Sequence, residues 1–573
     1  MARAGTPPQM TLSKPRLDYG PWAVLIVLSL GFFMILLDTT IVNVAIPSII
    51  SSLHASLDEV LWILNGYILI YAVLLITTGR LGDMIGPKKL FIFGLVVFTA
   101  ASVACGQAHN STELIIFRVV QGFGGAVLTP QSLSIITSIF PPEKRGAAFG
   151  LWGGVAGLAA AAGPTLGGFL VTTFSWSAIF YVNLPIGIAV IILAYFVMPE
   201  VQSHRKHHLD FIGVALSAAG LFTGVFALIE GERFGWGRIT NALSFSIGSL
   251  QGSLISIPTM LLLSVVLLTV FVLWESHERE HEPLLPLSLF GDRNFSVANL
   301  VSAIVAFGLL GLFLPLAIFL QSVLGMTAEE AGIAFVPNAL VSMVVAPIAG
   351  RLTDRINGKY ILGFGLTLFA IGMGLVIFAA SLHSTGLSFT LPLIVSGIGM
   401  GCTFAPMVTM AMRNIAPQQA GAASGFINTM RQVGGAMGGA VVGAVLQNRL
   451  GSELHSQAVR FSAQLPASAR ARFVAGFSHA TKSGLQVGRG QTGAAGNLPG
   501  NLPASVAHQL AVLGRETFQN AYLNAMKPSL ALPIVVIFCG AAVTQLMRSG
   551  SGTKGQDAAA EARRPAGVTA AGD

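Results

Sequence analysis

The sequence predicts an all-α polytopic membrane protein: two six-helix bundles with two extra helices inserted between them, about 14 crossings in all, and both termini in the cytoplasm. Three observations predict it. The chain is too apolar for a water-soluble domain, its apolar stretches are long enough to cross a bilayer, and one short segment recurs at the same place in each half. Of 573 residues, 53% are hydrophobic and 10% charged. The 66 glycines bring the apolar share to roughly 65%, against about 45–50% apolar and 25% charged in soluble domains. With about half the chain in hydrocarbon, crossings of about 20 residues would number roughly fourteen.

In chain order, residues 1–20 form a basic cytoplasmic tail, and residues 21–199 an N-terminal six-helix bundle with spans 22–47, 58–78, 90–108, 112–138, 147–171 and 178–198. Each is an apolar stretch bounded by turn-forming or charged residues. The basic start and the apolar run from Trp22 resemble a signal peptide, but the run is long and lacks a small-x-small end, so it reads as a retained first helix. Residues 200–293 are a linker with two further spans, 210–230 and 254–274. Residues 294–548 form the C-terminal six-helix bundle, with spans 295–321, 328–350, 359–381, 387–411, 420–448 and 527–547. It includes a long outer loop, 449–526, whose Ala, Gly and Ser content and whose pieces RFVAGF and ASVAHQLAVL suggest short interfacial helices on flexible linker. Residues 549–573 read as a disordered cytoplasmic tail.

The net charge of +8 is explained by topology, with no nucleic-acid partner implied. With the N-terminus inside, short cytoplasmic connections hold Arg80, Lys88, Lys89, Lys144, Arg145, Arg205, Lys206, Arg351, Arg355, Lys359 and Arg413, and short outer ones hold Arg233 and Arg238. The arginines of 449–526 do not count against this, because the rule does not read loops longer than about 60 residues. Cys105, Cys402 and Cys539 sit in separate apolar stretches without His or Cys at metal spacing, so neither a disulfide nor zinc is expected. The recurring segment is GRLGDMI from Gly79 and GRLTDRI from Gly350, 271 positions later, after the second and the tenth span. A repeat at equivalent positions in two halves is a transporter signature.

These residues resemble the major facilitator superfamily. GRLGDMIGPKK (Gly79 to Lys89) is similar to its loop motif between helices two and three, FRVVQGFGGA (Phe117 to Ala126) to its fourth-helix motif, and GPTLGG (Gly163 to Gly168) to its fifth-helix antiporter motif. LDTTIVNVAIP (Leu37 to Pro47) resembles the first-helix signature of the fourteen-span drug:proton antiporter family, of the QacA and EmrB type. The likeness continues through LDFIGVAL, PLLPLSLF, FLQSVLGMTAEEAG and GAASGFINTMRQVGG, and covers about residues 20–450 plus the last span. The resemblance implies the major facilitator fold, a bacterial inner-membrane location and proton-coupled multidrug efflux by alternating access. Protons would be the coupling ion, with no other cofactor. Expected partners are small amphipathic or cationic drugs and membrane lipid, with lipid or envelope contact through the outer loop.

Each motif also has a physical reading. Gly79, Arg80, Asp83, Gly86, Lys88 and Lys89, with Asp354 in the second copy, form a candidate cytoplasmic gate. Asp83 can cap a helix and meet the other half, latching the cytoplasmic side; the plainer reading is a solvated turn with inside-positive lysines. Gly163, Pro164, Gly167 and Gly168 remove side chains and one backbone donor, which allows close helix approach and a bend, or simply tight packing. His277-Glu278-Arg279-Glu280-His281 is a literal HExxH, but Pro283 soon ends any helix there and no third ligand is adjacent, so it reads as a charged connector and no metal site is assigned. Gly397, Gly399 and Gly401 read as helix packing.

Ionised groups inside spans point most directly to function, because each costs about 2.5–3.5 kcal/mol at a helix centre. Asp38 is the carboxylate well inside a span; Arg118 and Arg431 are the deep cations. Counted from the outer ends at 1.5 Å per residue, Asp38 and Arg118 lie roughly 13 and 9 Å deep, near enough in level to form a proton-coupling pair or a static structural one. Asn43, Gln121, Gln131, Asn428 and Arg431 are candidates for a substrate cavity, or in part for helix-to-helix bonds. Ser177 stands where the family usually has Arg, and the thirteenth span has Asn428 and Arg431 but no carboxylate, which argues against broad dication export. The function expected is an exporter. The alternatives are a dedicated exporter of one metabolite, antibiotic or lipid, then a membrane sensor or an intramembrane enzyme.

Overall fold

A computed structural model of the chain describes residues 20–200, 209–240, 244–247, 250–253, 255–277, 283–480 and 504–548. The elements are α1 (Pro21–Leu53), α2 (Leu57–Ile85), α3 (Pro87–Gly106), α4 (Ser111–Ile139), α5 (Pro142–Thr173), α6 (Ala178–Tyr181), α7 (Asn183–Val197), α8 (Phe211–Glu230), β1 (Ser244–Ile247), β2 (Leu250–Ser253), α9 (Ile257–His277), α10 (Arg293–Ile318), α11 (Ala328–Arg355), α12 (Gly358–Ala379), α13 (Thr390–Met412), α14 (Ala420–Ser462), α15 (Ala467–Ala480) and α16 (Ala504–Val543). Among the described residues the protein is all-α apart from β1 and β2, a short antiparallel pair with Ser244 opposite Ser253 in the connection between α8 and α9.

Local chemistry sets the helix ends. α2 and α11 both start at a capping box, Ser56 with Glu59 and Thr327 with Glu330. These pairs also stand 271 positions apart, so the repeat extends to the entry of the second helix in each half. Between α2 and α3 the chain reverses on Gly86, whose φ of 109° is open to glycine, and Pro87 then opens α3 with its φ already helical.

Twelve helices among the described residues are long and apolar enough to cross a membrane. α5 and α14, of 32 and 43 residues, pack lengthwise against the others. Gly and Ala recur along both because each lies against a helix of the opposite half, where backbones approach closely. Large apolar side chains such as Leu262, Val265 and Leu273 on α9 and Phe364 on α12 face outward, as expected for a chain solvated by lipid.

Within the first half α3 packs on α4 and α7, α2 on α4, and α1 on α5; within the second, α12 packs on α13 and α16, α11 on α13, and α10 on α14. Two long seams join the halves, α5 with α11 and α2 with α14. The inserted pair α8 and α9 pack on each other, and α8 lies along α2 and α14.

The stretch from 449 differs from expectation. α14 continues unbroken to Ser462, and ASVAHQLAVL is the start of α16, continuous with the last crossing; α15 is a separate short helix. The reason is a buried stripe at helical spacing, Leu446, Leu450, Leu454 and Ala458, in one core with Phe473, Phe477, Leu510 and Leu513. Residues that suggested interfacial helices cover one another instead.

Candidate functional site

Asp38 is fully buried on α1 and surrounded by donors from two other helices, α4 and α7. Its Oδ2 accepts from the Arg118 guanidinium at 2.5 Å; its Oδ1 accepts from Gln121 Nε2 at 2.8 Å and from Asn183 Nδ2 at 3.2 Å. Arg118 also donates to Gln121 Oε1 at 2.7 Å and to the Ile63 carbonyl at 3.2 Å, and lies over the Tyr67 ring, 4.2 Å from its centroid. Asn183 donates in turn to Ser102, whose hydroxyl donates to the Phe180 carbonyl. An isolated charge at this depth is strongly disfavoured; here each charge has a partner and the partners are themselves held.

The sequence nominated Asp38, Arg118 and Gln121 and missed Asn183 and Tyr67. Asn183 lies in the first turns of the sixth crossing, whose backbone stays helical through Val182 (φ −59°, ψ −26°), and α7 packs on α1. Its signal was a polar residue inside the otherwise apolar sixth span. The neighbouring Ser177 offers α6 no side-chain cap, while Trp176 donates to Ser52 at 3.0 Å, tying this corner to α1.

The second assembly is the pair of seams. Asp83 Oδ1 and Oδ2 accept the backbone N–H groups of Gly421 and Ala422 at 2.8 and 3.0 Å, in the first turn of α14 where helix donors lack partners. Asp354 accepts from Gly146 and Ala147 of α5 at 2.9 and 3.1 Å. Each carboxylate caps a helix of the opposite half, so the plain solvated-turn reading of Asp83 does not describe this structure. The backbones can meet because Gly79 faces Gly421 and Gly146 faces Gly350; a Cβ at any of the four would collide with the opposing carbonyl.

Other gate candidates divide. Arg80 is buried and acts electrostatically on both Asp83 and Glu275 of α9, which brings the inserted hairpin to the latch. Lys88 donates to the carbonyls of Tyr195 and Met198 at the end of α7, within its own half, and Lys89 is exposed. Arg145, read from sequence as a topology marker, donates to Phe140, Thr137 and, across the halves, to the Met412 carbonyl at 3.4 Å.

The cavity candidates are not gathered in one place. Gln121 belongs to the Asp38 cluster. Gln131 donates to the Thr78 and Val127 carbonyls and packs on Gly82, fastening α4 to α2. Asn43 and Asn428 each donate to a carbonyl one turn back, the first exposed and the second buried. Arg431 is partly exposed, with its guanidinium 5.7 Å from the Phe404 ring centroid. In the antiporter motif, α5 stays helical through Pro164; a Cβ at Gly163 would collide with Thr40, one at Gly167 would press on Ile41 at 2.9 Å, and Gly168 faces open space. Of the HExxH, His277 ends α9, and Glu278 to His281 lie outside the described residues. No metal-binding group of His, Cys, Asp or Glu is present among the described residues.

Residues 28–439 match the family model described as Major Facilitator Superfamily. The tetracenomycin C resistance and export protein of Streptomyces glaucescens is 32% identical over 435 residues, covering 75% of this chain and 77% of that protein. A multidrug resistance protein B homolog of Mycobacterium tuberculosis is 33% identical over 437 residues, covering 76% and 78%. Among solved structures, the human organic anion transporter TETRAN superimposes with a TM-score of 0.54 over 91% of this chain and all of its own, at 13% identity, a likeness of fold alone.

Proposed function

The chain belongs to the major facilitator superfamily, a multi-pass membrane transporter and not an enzyme, and from that premise we propose that it exports drug-like or antibiotic molecules in exchange for protons. The observation that carries proton exchange is the Asp38 cluster: a membrane-embedded carboxylate on α1 whose partners come from α4 and α7, so that rearrangement of these three helices would change the partners it keeps. The latches at Asp83 and Asp354 close one face of the molecule, which the positive-inside count assigns to the cytoplasm. With that face shut, Asp38 would load from outside; its proton would leave inward once the latches part and substrate has been exchanged. The location is a bacterial inner membrane, and the substrates are small amphipathic molecules.

A second reading, a dedicated exporter of one antibiotic, is favoured by the relative named for tetracenomycin C export. One experiment addresses both: purified protein in proteoliposomes with an imposed pH gradient, screened across cationic dyes, neutral antibiotics and acidic aromatic compounds. Uphill flux that collapses with the gradient supports exchange, and the number of compounds moved separates broad from dedicated export. Flux unaffected by the gradient excludes proton coupling.

A further inference from the structure

Phe32 on α1, Trp152 on α5, Phe404 on α13 and Arg431 on α14 form one continuous stack that crosses between the halves. Phe32 and Trp152 lie 3.9 Å apart at 17°, Trp152 and Phe404 5.9 Å apart at 27°, and the Arg431 guanidinium sits 5.7 Å from the Phe404 centroid. Arg431 is ten residues beyond Gly421 at the latch, about 15 Å along the helix, which is half the thickness of a hydrocarbon core of about 30 Å. It is therefore a midplane cation.

Its charge is uncompensated. Among the described residues no ion pair reaches Arg431. Asp38, the carboxylate at comparable depth, is fully buried and committed to Arg118, Gln121 and Asn183. A second unsatisfied group lies on the same stack, with Phe404 between it and Arg431: the Trp152 indole N–H is buried without an acceptor. Trp152 and Phe404 belong to different halves, so rocking one half against the other parts this stack and uncovers that donor. Phe404 and Arg431, already partly exposed, offer a ring edge and a planar, weakly hydrated cation.

We propose that the substrate bound at Phe404, Arg431 and Trp152 is a planar aromatic molecule carrying a negatively charged oxygen, rather than an organic cation. The rings supply stacking, Arg431 the counter-charge, and the indole N–H a donor to a second oxygen. An organic cation finds no available carboxylate here and meets Arg431 as a like charge. This rests on the exporter reading above and narrows its substrate class. Export of such an anion against one entering proton carries two positive charges inward, so it draws on membrane potential as well as on the pH gradient.

The test is equilibrium dialysis of the full-length purified protein against anthraquinone-2-sulfonate, the neutral 2-(hydroxymethyl)anthraquinone and the planar cation ethidium. The sulfonate should bind at least about tenfold tighter than ethidium, and Arg431→Ala should weaken the sulfonate about ten- to hundredfold while changing the neutral probe by less than about threefold. Trp152→Phe, which keeps a ring and removes the N–H, should weaken both quinones and spare ethidium. If Arg431→Ala does not fold, Arg431→Lys decides: a loss confined to the sulfonate supports the site. Preference for ethidium, or a sulfonate affinity indifferent to residue 431, overturns it. In proteoliposomes, sulfonate export should quicken when an inside-negative potential is added. Absence of uphill flux for every probe overturns the exporter reading, whereas the binding preference stands or falls by itself.

Discussion

Asp83 and Asp354 are the same device used twice: 271 positions apart in sequence, each carboxylate accepts two consecutive backbone N–H groups from a helix of the opposite half. They differ in setting. Asp83 is buried, has Arg80 beside it and caps the first turn of α14; Asp354 is partly exposed and meets α5 one turn further in. Charged hydrogen bonds contribute about 1.5–3 kcal/mol each, and more when buried groups would otherwise be left unpaired.

Asp83→Asn should therefore open the latched face more than Asp354→Asn does. Losing about 1.4 kcal/mol shifts the closed-to-open ratio about tenfold. Spin-label distances between α2 and α14 should lengthen in Asp83→Asn, with transport reduced and ligand binding largely retained. Equal distances in wild type and variant, with the variant folded, would return Asp83 to the role of a solvated turn.

Replacing Asp38 by Asn should abolish uphill, pH-driven efflux yet leave some binding and downhill exchange, since the amide keeps hydrogen bonding but cannot carry the proton. Arg118→Ala removes one partner of a buried pair and should cost about 3–5 kcal/mol of stability as well as coupling. Wild-type pH dependence in Asp38→Asn vesicles would place the coupling site elsewhere.

The glycines provide a graded series. Gly421→Ala and Gly350→Ala put a methyl against an opposing backbone carbonyl and should force the seams apart, lowering thermal stability and transport. Gly163→Ala meets Thr40 and should act similarly on α1 and α5, whereas Gly168→Ala, facing open space, should be within about 0.5 kcal/mol of wild type. A Gly168 variant as damaged as the Gly163 variant would refute close packing as the purpose of this motif.

Single cysteines test orientation. One at Gln464, in the turn between α14 and α15, should react with an impermeant maleimide from outside intact cells, and one at Lys89 only after permeabilisation. Reaction of both from the same side would break the two-half arrangement.

Composition and hydropathy determined that this chain crosses a membrane many times, because bilayer thickness fixes how long an apolar helix must be. The repeat of GRLGDMI as GRLTDRI determined that there are two halves, and the cost of burying charge was enough to single out Asp38 and Arg118. What tertiary structure decided is the partnership. Asn183 becomes a ligand of Asp38 because α7 packs on α1, and nothing in its neighbours along the chain specifies that contact. Asp83 finds Gly421 across 338 positions because Gly79 and Gly421 let the two backbones meet. Lys88, counted with the gate, turns back to α7, and Arg145, counted only for topology, bridges to α13. The region after residue 448 appeared to be loop because a bilayer window ends there, yet the helix continues wherever a leucine stripe finds a second helix to cover it. Local patterns report what each segment must do in its solvent; which polar groups meet depends on distances between segments, and these exist only once the helices are packed.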